Sequence, residues 1–72
     1  MPDTNLLIRK SVLSDTDAYK GTYQLITLSQ AVQELANVLP AKQYNSRLEI
    51  ALDLAEGNMI CTNFYSYKLE KL

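Results

Sequence analysis

Apolar positions between Thr27 and Gly57 recur at steps of three and four, so this stretch, TLSQAVQELANVLPAKQYNSRLEIALDLAEG, predicts two consecutive amphipathic helices. In the first, Leu28, Ala31, Val32, Leu35 and Leu39 form one face, and Ser29, Gln30, Gln33 and Glu34 form the other. Thr27 with Gln30 reads as a capping box: the hydroxyl accepts from a backbone N–H three residues on, and the glutamine reaches back. Asn37 is a candidate left-handed stop, and Pro40 forbids simple continuation. The second helix has two candidate starts. Ser46 with Glu49 is another capping box, giving a helix from Arg47 to Glu56, which is the preferred reading because Leu39 is a poor N-cap. A start with Pro40 in the first turn gives instead an apolar stripe of Ala41, Tyr44, Leu48, Ala51, Leu52 and Ala55. Gly57-Asn58 ends the helix either way. Ile50 and Leu54 widen its apolar face and leave Glu49, Asp53 and Glu56 as an acidic ridge. A helix apolar on most sides is covered by more than one element, here a sheet plus the first helix, or a second subunit. Leu35 and Leu52 are expected to face each other in the core.

The flanks read as strands. Asn5–Leu13 places Leu6, Ile8, Lys10 and Val12 on one side, and Leu7, Arg9, Ser11 and Leu13 on the other; the alternation is imperfect, so this strand is expected to be partly covered on both faces or to lie at an edge. Met1–Thr4 is expected to fray, and Ser14–Asp17 through Lys20-Gly21 to form a loop containing Tyr19. Thr22–Ile26 is a short second strand, antiparallel to the first. Met59–Tyr67 is rich in aromatic and β-branched types and reads as a single third strand. The competing reading there is a helix with Cys61, Tyr65, Leu69 and Leu72 at helical spacing, and a frayed or short helical end is expected after Lys68. The expectation is thus one small α+β domain over residues 1–72. It has a three-stranded antiparallel sheet with both helices on one face, in the order β-β-α-α-β, and an open second face.

Seventy-two residues bury about 60% of the unfolded surface, which is marginal for a lone domain. One cysteine and no histidine rule out a disulfide framework, so a compact core or self-association must supply stability. The hydrophobic fraction of 47% and charged fraction of 21% argue against disorder. The start, MPDTNLLIRK, lacks a basic region followed by an apolar run, so no signal peptide is expected. The longest apolar runs are three residues, so no membrane span is expected either. The lone Cys61 fits a reducing compartment, the cytoplasm.

Composition limits the chemistry. No residue titrates near neutrality by default, and Cys61 has no activating base or cation nearby in sequence, so it reads as a small hydrophobe in a strand. Glu49, Asp53 and Glu56 lack the loop ligands and glycines of a cation site and read as a solvated face. Gly21 and Gly57 are isolated, so no phosphate-cradling loop exists. No catalytic residue, cofactor or metal is expected, and the chain reads as a non-enzyme.

Two binding readings follow. In the first, the chain contacts another protein or a second copy of itself, as a small inhibitor or adaptor and as a homodimer. Five tyrosines are rich for this length, and tyrosine contributes rigid area with a polar tip at interfaces. Tyr65 and Tyr67 are expected to share an exposed stripe with Cys61 and Asn63 on the last strand. Tyr23 and the ridge of Glu49, Asp53 and Glu56 are further partner-binding candidates. Phage and mobile-element inhibitors of host defence, anti-CRISPR proteins among them, fall in this size class, an association that rests on size alone. The second reading is a helix-turn-helix DNA-binding regulator using helices 28–37 and 41–56, with Lys42, Gln43, Asn45 and Arg47 reaching bases and phosphates. The net charge of −1, the pI of about 5.1 and the acidic residues further along that helix weigh against nucleic acid.

Overall fold

The computed structural model describes residues 6–13, 22–40 and 42–70. The elements run β1 (Leu7–Val12), β2 (Tyr23–Thr27), α1 (Leu28–Val38), α2 (Arg47–Ala55), β3 (Ile60–Cys61) and β4 (Tyr65–Leu69). The α+β class and the antiparallel sheet agree with the sequence reading. The strand count does not: the sheet has four strands in the order β2-β1-β4-β3. The C-terminal stretch is neither one strand nor a helix, because the chain reverses at Asn63-Phe64 and β3 pairs antiparallel with β4. The Thr62 hydroxyl holds that reversal, accepting from the N–H groups of Phe64 and Tyr65 at 3.2 and 3.0 Å. The Thr62 N–H donates to the Tyr65 carbonyl at 2.7 Å. β4 is therefore interior to the sheet, bonded to β1 on one side and β3 on the other. The expected loop over 14–21, the frayed start at 1–4, Ala41 and Leu72 lie outside the described residues.

Register divides the sheet into two faces. Ile8 opposes Ile26 and Leu69; Lys10 opposes Gln24 and Tyr67; Val12 opposes Tyr65; Tyr67 opposes Ile60. Directly opposed residues point to the same side, so these share one face. Ile8, Ile26, Ile60 and Tyr67 on it are buried in one cluster with Leu28, Ala31 and Leu35 of α1 and Ile50 and Leu54 of α2. The other face carries Arg9, Leu25, Lys68, Ser11, Tyr23, Ser66 and Cys61.

The helix ends follow local chemistry. Thr27 Oγ1 accepts from the Gln30 N–H at 3.1 Å, while the Gln30 amide turns to Glu34 and does not reach back to Thr27. α1 runs past Asn37; Leu39, extended at φ −79° and ψ 147°, is its C-cap, as expected of the residue before a proline. α2 starts at the later candidate position, with Ser46 Oγ accepting from Glu49 N–H. Glu49 reaches back one residue further than a capping box requires, to the Asn45 N–H at 2.8 Å. At its end Gly57 has φ 93°, its N–H donates to the Leu54 carbonyl, and the Asn58 N–H donates to the Asp53 carbonyl. This is a Schellman cap, which needs a left-handed residue.

The stripe on α2 is inverted relative to expectation. Ile50 and Leu54 are buried, whereas Leu48 is 67% exposed and Leu52 is 52% exposed. With apolar residues on nearly every side, the periodicity does not say which side packs. Leu35→Ala is therefore expected to cost about 2–5 kcal/mol, and Leu52→Ala no more than about 0.5 kcal/mol. Urea midpoints check this; equal losses at the two positions would mean that α2 packs with its other side.

Candidate functional site

Lys10 lies on the covered face of β1, flanked along the strand by Ile8 and Val12. An unpaired ammonium there is costly to desolvate. α1 supplies the counter-charge: Lys10 Nζ donates to Glu34 Oε1 at 2.8 Å. The Tyr67 hydroxyl donates to the same oxygen at 2.8 Å, and the Gln30 amide donates to Oε2 at 3.1 Å. Nζ also sits 4.2 Å from the Tyr65 ring centroid and 5.8 Å from that of Tyr67, close enough for attraction to the ring faces. The two rings meet edge to face at 6.5 Å. Desolvation pushes the Glu34 carboxyl up, but hydrogen bonds from Lys10, Tyr67 and Gln30 outweigh it and hold the group below its ordinary value. Burial, and then the bond to Glu34, raise the Tyr67 phenol well above its ordinary value.

A groove of about 690 Å³ opens beside this cluster. It lies between the end of α1, the following connection and the β3–β4 hairpin. Its lining joins Lys10, Glu34 and Tyr67 to Asn37 and Gln43 and to the exposed side chains of Val38 and Phe64.

The structure disperses the residues expected to meet a partner. Tyr67 is 2% exposed and belongs to the core; Tyr65 is half-buried beside it. The expected exposed stripe is therefore absent: both tyrosines point to the helix side, while Cys61 is exposed on the other face. Tyr23 is exposed on the open face, where the Arg9 guanidinium lies 4.1 Å from its ring centroid. Arg9 Nη2 also bonds both Glu70 oxygens, at 2.7 and 3.0 Å. The acidic ridge is partly spent inside the fold. Asp53 accepts from the Tyr44 hydroxyl and from the Asn58 amide, which lowers its carboxyl. Burial, and then Asp53, push the Tyr44 phenol up to about 12. Glu49 is used at the N-terminus of α2; Glu56 is exposed.

The residues proposed to read DNA do not share a recognition helix. α2 begins at Arg47, so Lys42, Gln43 and Asn45 belong to the connection between the helices. The helix over 41–56 on which that reading rests is thereby corrected. Sequence reasoning missed Lys10 and Glu34. The signal was present: a lysine on a strand face otherwise made of Leu6, Ile8 and Val12 requires a carboxylate from the layer that covers it.

Because the Glu34 carboxyl is depressed in the folded state, its contribution to stability is complete above the usual glutamate range. That contribution is lost as pH falls through the depressed value. Stability of Glu34→Gln is expected to fall less steeply with acidification than that of the wild type, as read from urea midpoints between about pH 7 and pH 3. Tyr67→Phe is expected to cost about 0.5–1.5 kcal/mol at neutral pH. Parallel pH profiles for wild type and Glu34→Gln would show that the carboxylate is not held as described.

Comparisons with protein-family models, with curated proteins and with solved structures give no match to this chain.

Proposed function

We propose that this chain is a non-enzymatic protein-binding module, a small inhibitor or adaptor that acts by contact with a larger protein. The observation that supports it best is the outward side of α2. Leu48 and Leu52 stand one turn apart with 67% and 52% of their surface exposed, opposite the buried Ile50 and Leu54. Ala55 is exposed on the same side, and Ala51 is half-buried at its margin. A shallow groove beside the stripe is lined by Leu48 and Ala51 of α2 and by Val32 and Gln33 of α1. Apolar side chains that form a contiguous exposed patch, rimmed by polar residues, are a common mark of a protein interaction site. By helical periodicity Glu56 and Glu49 follow Leu52 around the helix, so one border of the stripe is acidic. The partner chemistry that fits is an apolar ridge with basic residues along one side, as an amphipathic helix provides.

The test is affinity capture from cells of the source organism, with the wild type and a Leu48→Ser/Leu52→Ser double variant as baits. The expected result is a partner retained by the wild type and reduced at least about tenfold with the variant, with unchanged far-ultraviolet circular dichroism. Equal recovery by both baits, or no partner with either, removes the reading.

A further inference from the structure

The two edges of the sheet are not alike. β3 is two residues long; β2 has five residues, and the sequence TYQLIT over residues 22–27 contains no charge, proline or glycine. Exposed edges in natural sheets are commonly blunted by charge, proline, a bulge or shortness, and β2 carries none of these. Its hydrogen-bonding direction is fixed by the ladder. The Val12 N–H donates to the opposed Thr22 carbonyl, and the Leu28 N–H to the opposed Leu6 carbonyl. Hydrogen-bonded and non-hydrogen-bonded pairs alternate along an antiparallel ladder, so Gln24 and Ile26 also address β1. Tyr23 and Leu25 turn their backbone groups away from it, as does the Thr27 N–H, while the Thr27 carbonyl, at the N-cap, belongs to the first turn of α1. Tyr23, Gln24 and Leu25 are exposed.

We infer that β2 is a self-pairing edge, and that its occupant is β2 of a second copy in antiparallel, two-fold register centred on Leu25. A row of outward N–H and C=O groups at strand spacing is matched by another extended backbone. A two-fold axis opposes Leu25 to Leu25 and Tyr23 to Thr27, and an isologous contact requires such self-complementarity. An axis of this kind would bring any charge at its centre against its own image, and this edge has none. The short β3 offers no comparable row. Pairing joins two four-stranded sheets into one continuous sheet and sets the Leu25 side chains of the two copies side by side on the open face. It does not use the α2 stripe, so the two surfaces can fail separately.

The test uses charge at the centre of the register. Sedimentation equilibrium of the full chain is compared for wild type, Leu25→Lys, Leu25→Glu and an equimolar mixture of the two variants. Like charges directly opposed destabilise a strand pair and opposite charges support it. The wild type is expected to dimerise, each variant alone to dimerise at least about tenfold more weakly, and the mixture to recover the loss. Circular dichroism confirms that both variants fold, as the exposure of Leu25 allows. A wild type that stays monomeric at millimolar concentration overturns the inference, and so does a mixture that recovers nothing. A dimer that survives both Leu25 variants and is lost in Leu48→Ser/Leu52→Ser places self-association on α2 and also overturns it.

Discussion

A lysine on the covered face of the first strand constrains how the layers can close. Lys10 must meet a carboxylate from above, and only one rotation of α1 brings Glu34 to it while Ala31 and Leu35 remain in the core. The Tyr67 hydroxyl on the same carboxylate brings β4 under the same requirement. Three elements far apart in sequence are thus tied at one oxygen atom. A one-residue slip of β1 would exchange Lys10 for Arg9 or Ser11 beneath the helix and turn Ile8 to solvent. The cluster therefore specifies register; the ammonium and carboxylate are partly solvated, at 17% and 28% of their side-chain surface, and pairs of that kind add little net stability.

The helices were legible because their ends are local chemistry. Thr27, Ser46, Pro40 and Gly57 act within a few residues of themselves, and each appears where its side chain or ring demands. Alternation, a local property, sorted the side chains of β1 into two sets, but not which set is covered, nor that β1 lies inside the sheet and not at an edge. The hairpin between β3 and β4 was not legible. Two-residue hairpin turns usually announce themselves with glycine or Asn-Gly, which accept positive φ. Here the turn is Asn63-Phe64, no non-glycine residue among those described has positive φ, and the Thr62 hydroxyl does the work. Tertiary choices were equally hidden. Leu48, Ile50, Leu52 and Leu54 are chemically alike, and only packing against α1 and the sheet decides which pair turns inward. Tyr67 went unrecognised as core because its partner, Glu34, is thirty-three positions away.

Where the outward apolar side chains lie was not legible in the sequence. That α2 carries more apolar positions than one packed side can hold is readable from the sequence alone; that Leu48 and Leu52 are the ones left outside is not. The tyrosines, which drew attention as contact residues, divide between uses: Tyr67 and Tyr65 serve the core and its lysine, Tyr44 pins the inter-helix connection to Asp53, and Tyr23 stacks with Arg9 on the open face. The outward surface falls instead to leucines on α2 and to the uncharged edge of β2, on different elements.

The interior position of β4 has a consequence for how the molecule is made. β1 can pair with β2 early, but its other edge waits for residues 65–69, as the Arg9–Glu70 contact across sixty-one positions shows. Contacts of such sequence separation slow folding, because a long loop must close before they form. During synthesis the helices have only the β1–β2 part of the described sheet to rest on until β4 leaves the ribosome. Until then the cluster of Ile8, Leu35 and Leu54 lacks Tyr67, and its apolar surface is left correspondingly more open to water.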